Sequence, residues 1–190
     1  MVTPYYNKTT QAGLVAHFKA IAASTKLPII VYSVQARTGL NITPATCLEL
    51  SKIENVVAIK EASDNIVQIA EISNLCGDNL WIYSGNDNQT VPVLSLGGIG
   101  VISVLSNLAP KKVHNIVQKF FDGNVAESLR LYLDSLHIVN ALFIEVNPIP
   151  VKAALNMMGY NFGIPRLPLV EMSVPAKEVL QKELKNYELI

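Results

Sequence analysis

Asn55-Val56-Val57-Ala58-Ile59-Lys60-Glu61-Ala62-Ser63 is an apolar run that stops at a lysine. A second run, Pro28-Ile29-Ile30-Val31, stops at Tyr32 and leads into Arg37-Thr38-Gly39. Neither run alternates apolar with polar residues. That pattern predicts parallel strands covered on both faces, not an antiparallel sheet with one wet side. Each strand then carries a reactive group at its C-terminal tip, the edge where parallel α/β sheets bind ligands.

Two more runs, 80–84 and 99–104, extend the series begun at 28–32 and 56–60. Helical patterns lie between them. Leu14, Phe18 and Ile21 share one face after Thr9-Thr10, and Thr43-Pro44 is an N-cap followed by a first-turn proline. A third helix is expected from about Ser63-Asp64, with Ile69, Ile72 and Leu75 on its apolar face. A fourth runs from about Asp87 to Leu96-Gly97-Gly98, and a fifth carries Val113, Ile116, Val117 and Phe120. Strand and helix alternate at intervals of roughly 20–27 residues, a little tighter than the roughly 30 per unit of a (β/α)₈ barrel. Such alternation predicts a parallel sheet with right-handed crossovers. About four βα units occupy residues 1–122, half of such a barrel. Residues 123–190 read as a C-terminal helical appendage: a long helix through Val125, Leu129, Tyr132, Leu136 and Val139, then helices near 151–158 and 174–184. Val2-Thr3-Pro4 reads as the end of a strand whose beginning precedes the chain. A half-barrel has unpaired edges, so it is expected to pair with another copy or with the missing half.

Half of the 190 residues are hydrophobic and 16% are charged, the composition of a well-buried globular chain. Fifteen basic residues balance fifteen acidic ones, so no global field draws the chain to nucleic acid or to a membrane surface. Lys111-Lys112 reads as the solvated start of a helix. Cys47 and Cys76 are far apart in the chain and form no metal or redox motif, which suits free thiols in a reduced, cytoplasmic protein. No apolar stretch reaches membrane-spanning length.

Lys60 is the residue with the clearest chemical potential. Burial at a strand tip lowers an amine's pKa and frees its lone pair for a Schiff base. Each candidate also has a bland reading. Lys60 alone would pass for a solvated loop lysine, Tyr32 for rim packing and Arg37 for a surface charge in a polar loop. Tyr5-Tyr6 would pass for an aromatic interface anchor, Gly85 for a turn glycine and Ile102 for core. His17, His114 and His137 have no metal-ligand spacing, so no metal is expected. Gly97-Gly98-Ile99-Gly100 precedes a strand, the wrong context for a dinucleotide loop.

Together these residues resemble the dihydrodipicolinate synthase (4-hydroxy-tetrahydrodipicolinate synthase) family. The resemblance rests on Val2-Thr3-Pro4-Tyr5-Tyr6-Asn7, Val31-Tyr32, Arg37-Thr38-Gly39, Ile59-Lys60-Glu61-Ala62, Ser84-Gly85, Gly100-Val101-Ile102-Ser103 and Asn147-Pro148-Ile149-Pro150. It implies the C-terminal part of that family, without roughly the first 100 residues that carry the first four strands of the barrel. It also implies a class I condensing lyase of lysine (diaminopimelate) biosynthesis that joins pyruvate to aspartate semialdehyde. The covalent imine with pyruvate serves in place of a cofactor. Lys60 would form that imine, Tyr32 would move protons, and Tyr6 would join the relay in a neighbouring subunit's site. Arg37 would hold the semialdehyde carboxylate. Gly85 would let backbone approach the substrate, and Ile102 would meet pyruvate through its main chain. Tyr5 and Tyr6 would pack at the contact of a homo-oligomer, a dimer or tetramer. Gln35 and Asp64 stand where the family usually has proline and glycine, which predicts looser loops. Two alternatives stay open: a catalytically silent oligomeric half-barrel, and an aldolase on another 2-keto acid substrate.

Overall fold

Four parallel strands lie side by side in chain order: β1 (Ile29–Ser33), β2 (Val56–Glu61), β3 (Trp81–Ser84) and β4 (Gly100–Val101). The computed structural model describes residues 1–190, in two compact units, Met1–Ile102 and Ser103–Ile190. β1 starts one residue later than the sequence suggests. Proline has no N–H to donate, and the ladder opens with Ile29 N–H bonded to the Asn55 carbonyl at 2.7 Å. β4 is far shorter than the predicted 99–104, because the chain leaves the sheet after Ile102 N–H reaches the Ser84 carbonyl at 2.9 Å. Val2 forms an isolated parallel bridge to Tyr32 on the other side of β1.

Helices α1 (Gln11–Ala23), α2 (Gln35–Thr38), α3 (Pro44–Leu50), α4 (Ile66–Cys76) and α5 (Thr90–Ser95) complete the first unit. Thr10 caps α1 and Thr43 caps α3, each accepting from a backbone N–H three residues on. Leu14 and Phe18 of α1, Leu50 of α3 and Ile69 and Ile72 of α4 are fully buried in one core with Val31 and Ile59 of the sheet. Each such side chain contributes about 1.5–3 kcal/mol by leaving water.

α4 departs from its predicted face. It begins at Ile66, where the Asn65 carboxamide accepts from the Val67 and Gln68 N–H groups, both at 3.1 Å. Its buried stripe runs through Gln68, Ile69, Ile72 and Cys76, and Leu75 is 44% exposed. A glutamine occupies the place that hydrophobicity alone gave to leucine. Cys47 and Cys76 are both buried, and burial pushes both thiols up, which makes them poor nucleophiles.

The second unit holds α6 (Pro110–Phe121), α7 (Val125–Leu142), α8 (Ile149–Met157) and α9 (Val174–Asn186). α6 packs on α7, and α9 packs on α7 and α8. α6 therefore shares its contacts with the C-terminal helices, and the units divide after Ile102, whereas the sequence placed a boundary after 122. On α7, Tyr132 and Val139 are buried as expected, but Val125 and Leu129 are exposed. Small residues line the contact instead: Ser128 Oγ donates to the Ile116 carbonyl of α6 at 2.6 Å. Lys112 is not a purely solvated charge. Its Nζ donates to the Tyr187 carbonyl at 2.7 Å and lies 3.9 Å from the centre of that tyrosine ring.

Candidate active site

Parallel register puts Tyr32 of β1 opposite Lys60 of β2, and Lys60 opposite Tyr83 of β3. Residues paired across adjacent strands point to the same face. Lys60 Nζ accordingly lies 4.2 Å from the centre of the Tyr32 ring. Two effects act on that amine in opposite senses. The ring face and the Asp87 carboxylate favour the ammonium, while burial disfavours it. Burial wins, and the Lys60 pKa is lowered. The same burial raises the Tyr32 pKa, against the opposing charge of Arg37. An amine that sheds its proton more readily thus stands beside a phenol that keeps its own.

Arg37 is not in an irregular loop. It sits in the last turn of α2, which Gly39 closes in a left-handed conformation with φ 68°. Gln35 opens that helix, a position that proline favours but any residue with helical φ can fill. A cavity of about 750 Å³ is lined by Tyr5, Tyr6, Lys8, Tyr32, Arg37 and Gly39, among others. Tyr32 and Arg37 thus line the same pocket. Tyr5 and Tyr6 stand out in solvent, 69% and 90% exposed, and are not packed against the amine. Tyr6 and Lys8 both adopt positive φ, at 63° and 55°.

The loops after β2 and β3 are tied to each other. Asp64 adopts φ 62°, the left-handed conformation that a glycine would take there, and aspartate is among the residues that tolerate it. Its carboxylate accepts from Asn86 Nδ2 at 2.7 Å, and its carbonyl accepts from Gln89 Nε2 at 3.3 Å. The Asp64 side chain therefore fastens the loop, contrary to the loosening expected from sequence. Gly85 has a packing reason. A Cβ there would lie 2.6 Å from the Ala62 Cβ and 2.8 Å from the Glu61 carbonyl oxygen. Without it, Gly85 N–H donates to the same Glu61 oxygen at 2.7 Å. Ile102 lies just past β4 and is partly exposed; its N–H is taken by Ser84, so its carbonyl is the main-chain group it can turn to a ligand.

One set of residues went unnoticed in the sequence. The next register row, Ser33–Glu61–Ser84, points to the opposite, helix-covered face, and all three residues are 0% exposed. Glu61 accepts from Gln68 Nε2 at 3.0 Å and from Ser63 N–H at 3.2 Å. Burial pushes its carboxyl above the ordinary range, more strongly than these donors pull it down. Two-residue strand periodicity carried the signal: whatever follows a front-facing tip residue must face the helices.

The chain matches the dihydrodipicolinate synthetase family over residues 1–187. A 4-hydroxy-tetrahydrodipicolinate synthase of Caldicellulosiruptor saccharolyticus is 61% identical over 186 residues, covering 98% of this chain and 63% of the relative. The crystal structure of dihydrodipicolinate synthase from Thermotoga maritima superposes with a TM-score of 0.97 at 44% identity, covering 100% of this chain and 65% of that one. A monomeric dihydrodipicolinate synthase variant superposes equally well, with a TM-score of 0.97 and 44% identity over 100% of this chain and 64% of its own. The chain thus spans somewhat under two thirds of the length of these relatives.

Proposed function

The chain belongs to the dihydrodipicolinate synthetase family, and from that premise we propose that it carries the Schiff-base centre of a pyruvate-dependent 4-hydroxy-tetrahydrodipicolinate synthase. The single observation that supports this most is the pair of Lys60 and Tyr32, with the amine 4.2 Å from the ring and its proton affinity lowered by burial.

Neutral Lys60 attacks the keto carbon of pyruvate. The carbinolamine loses water to give an imine, with Tyr32 supplying the proton that leaves on that water. The Tyr32 phenolate takes a methyl proton and so converts the imine to an enamine; the enamine carbon attacks the aldehyde of aspartate semialdehyde, and the restored phenol protonates the new alkoxide. Intramolecular attack by the semialdehyde amine then displaces Lys60 and closes the ring. Arg37 holds the semialdehyde carboxylate, where a planar guanidinium suits a planar acceptor. Gly85 keeps the floor of the site free of a side chain, and the Ile102 carbonyl borders the pyruvate. The imine itself provides the electron sink, so no separate cofactor takes part. The sheet forms the second half of a (β/α)₈ barrel. Tyr5 and Tyr6, so exposed here, pack in a homo-oligomer, a dimer or tetramer, or against the N-terminal half of the barrel, and Tyr6 then joins the proton relay. In this reading the protein works in the cytoplasm. No helix is long and apolar enough to cross a membrane.

Incubation with pyruvate and borohydride tests the proposal. The reduced adduct is expected on the Lys60 peptide and absent from Lys60→Ala. A folded chain that acquires no adduct contradicts it. That result would favour a silent oligomeric module, a reading supported by Trp81, which is 53% exposed on the same face of the sheet as Lys60.

A further inference from the structure

We propose that Glu61 is a positioning residue for Lys60, acting from the back of the sheet through a buried network that locks the tips of β1 and β2 together. The inference rests on the imine assignment for Lys60 where it concerns catalysis, and on geometry alone where it concerns the hold on the amine.

A carboxyl group in an apolar helix-sheet layer is costly unless its oxygens are satisfied. Here they are. Glu61 Oε1 accepts from Gln68 Nε2 at 3.0 Å, and the Ser63 N–H lies 3.2 Å from each oxygen. Gln68 exchanges two bonds with Asn41: Asn41 Nδ2 donates to Gln68 Oε1 at 2.7 Å, and Gln68 Nε2 donates to Asn41 Oδ1 at 3.2 Å. Ser33 Oγ donates to the same Asn41 oxygen at 3.3 Å and accepts from Ile42 N–H at 3.3 Å. Four side chains and two backbone N–H groups thus connect β1, the loop before α3, β2 and α4.

The network sits one residue beyond the front row. Ser33 follows Tyr32 and Glu61 follows Lys60, and the two rows are in register. Fixing the back-facing residue fixes the backbone direction at its neighbour, and hence where the Lys60 side chain starts. Main-chain bonds converge on the same place. Ala62 N–H donates to the Ser33 carbonyl at 2.9 Å and Gly85 N–H to the Glu61 carbonyl at 2.7 Å. Hydrophobic side chains at 61 and 68 would pack as well but would leave only these main-chain bonds to hold the strand tips. A half-satisfied network is worse than an apolar layer, so removing one member releases the rest.

The experiment compares Glu61→Gln, Glu61→Ala and Gln68→Met with the unmodified chain, each first shown folded by circular dichroism and urea titration. Glu61→Gln keeps an acceptor oxygen for Ser63 and Gln68; Gln68→Met keeps the volume and removes the donor. Lysines are ¹³C-dimethylated, and Lys60 is followed by NMR against pH, a readout that needs no turnover. In Glu61→Ala and Gln68→Met the Lys60 midpoint is expected to move up toward the ordinary lysine value as the amine gains water, while Glu61→Gln leaves it in place. In parallel, the limiting rate of pyruvate trapping should fall about tenfold in the first two at little-changed half-saturating pyruvate, with Glu61→Gln within about threefold of the parent. An unmoved midpoint in folded Glu61→Ala and Gln68→Met overturns the proposal, as does a Glu61→Gln as impaired as Glu61→Ala. Absence of any adduct in the unmodified chain with the midpoints moving as stated sinks the imine assignment alone and upholds the hold of Glu61 on Lys60.

Discussion

Burial acts in opposite senses on the two groups that face each other at the sheet tip: it lowers the pKa of the Lys60 ammonium and raises that of the Tyr32 phenol. Only the neutral amine attacks a ketone, so trapping by pyruvate should accelerate as pH rises, with a midpoint below the 10.5 of an ordinary lysine. A rate that climbs only at or above that value would show an amine in bulk water. Tyr32→Phe keeps the ring over Lys60 and removes the hydroxyl; adduct formation should slow about 10²-fold or more at unchanged stability. Lys60 and Tyr32 were legible in the sequence because each ends an apolar run, and their apposition followed once the strands were taken as parallel neighbours. Gly85 was legible only as a turn glycine. The reason for it, a 2.6 Å approach to Ala62, exists only in three dimensions. Gly85→Ala should cost about 1–3 kcal/mol in urea denaturation, since the backbone of Glu61 has to move.

The loops that follow β2 and β3 show how an element can hold a left-handed residue without glycine and keep its geometry. Asp64 takes the left-handed conformation at a modest conformational cost and offsets it with a 2.7 Å bond from Asn86. Asp64→Gly relieves the first and loses the second, so stability should change by less than about 1 kcal/mol. Asp64→Ala keeps the strain and loses the bond, and should cost about 1–2 kcal/mol in the same measurement. Substitution by alanine without effect would remove the fastening role assigned to this side chain. Strand positions were readable from sequence because β-branched residues cluster in them. Helix faces were less so: on α4 and α7 the buried stripe includes Gln68 and Ser128, polar residues whose partners lie on other segments, and Leu75 and Leu129 were displaced outward. Hydrophobic periodicity cannot register a buried hydrogen bond.

For the molecule as a whole, the two perturbed groups give stability opposite slopes with pH. The Glu61 pKa is raised above its usual 4.5, so between that value and the raised one the folded chain holds more protons than the unfolded chain, and stability falls as pH climbs. Glu61→Gln should lack that decline, seen as a stability difference that grows with pH across the window in urea titrations. The Lys60 pKa is lowered below 10.5, so between the lowered value and 10.5 stability rises with pH, and Lys60→Met should flatten the rise. The alternation of strands and helices made the parallel sheet and its order legible from sequence. The division after Ile102 was not, because α6 looks like another barrel helix until its partner α7 is seen. The most direct measurement is peptide-resolved mass spectrometry after pyruvate and borohydride. A reduced pyruvyl group on Lys60 alone, lost in Lys60→Ala, is the predicted result; a folded chain with no adduct, or with the adduct on another lysine, would contradict it.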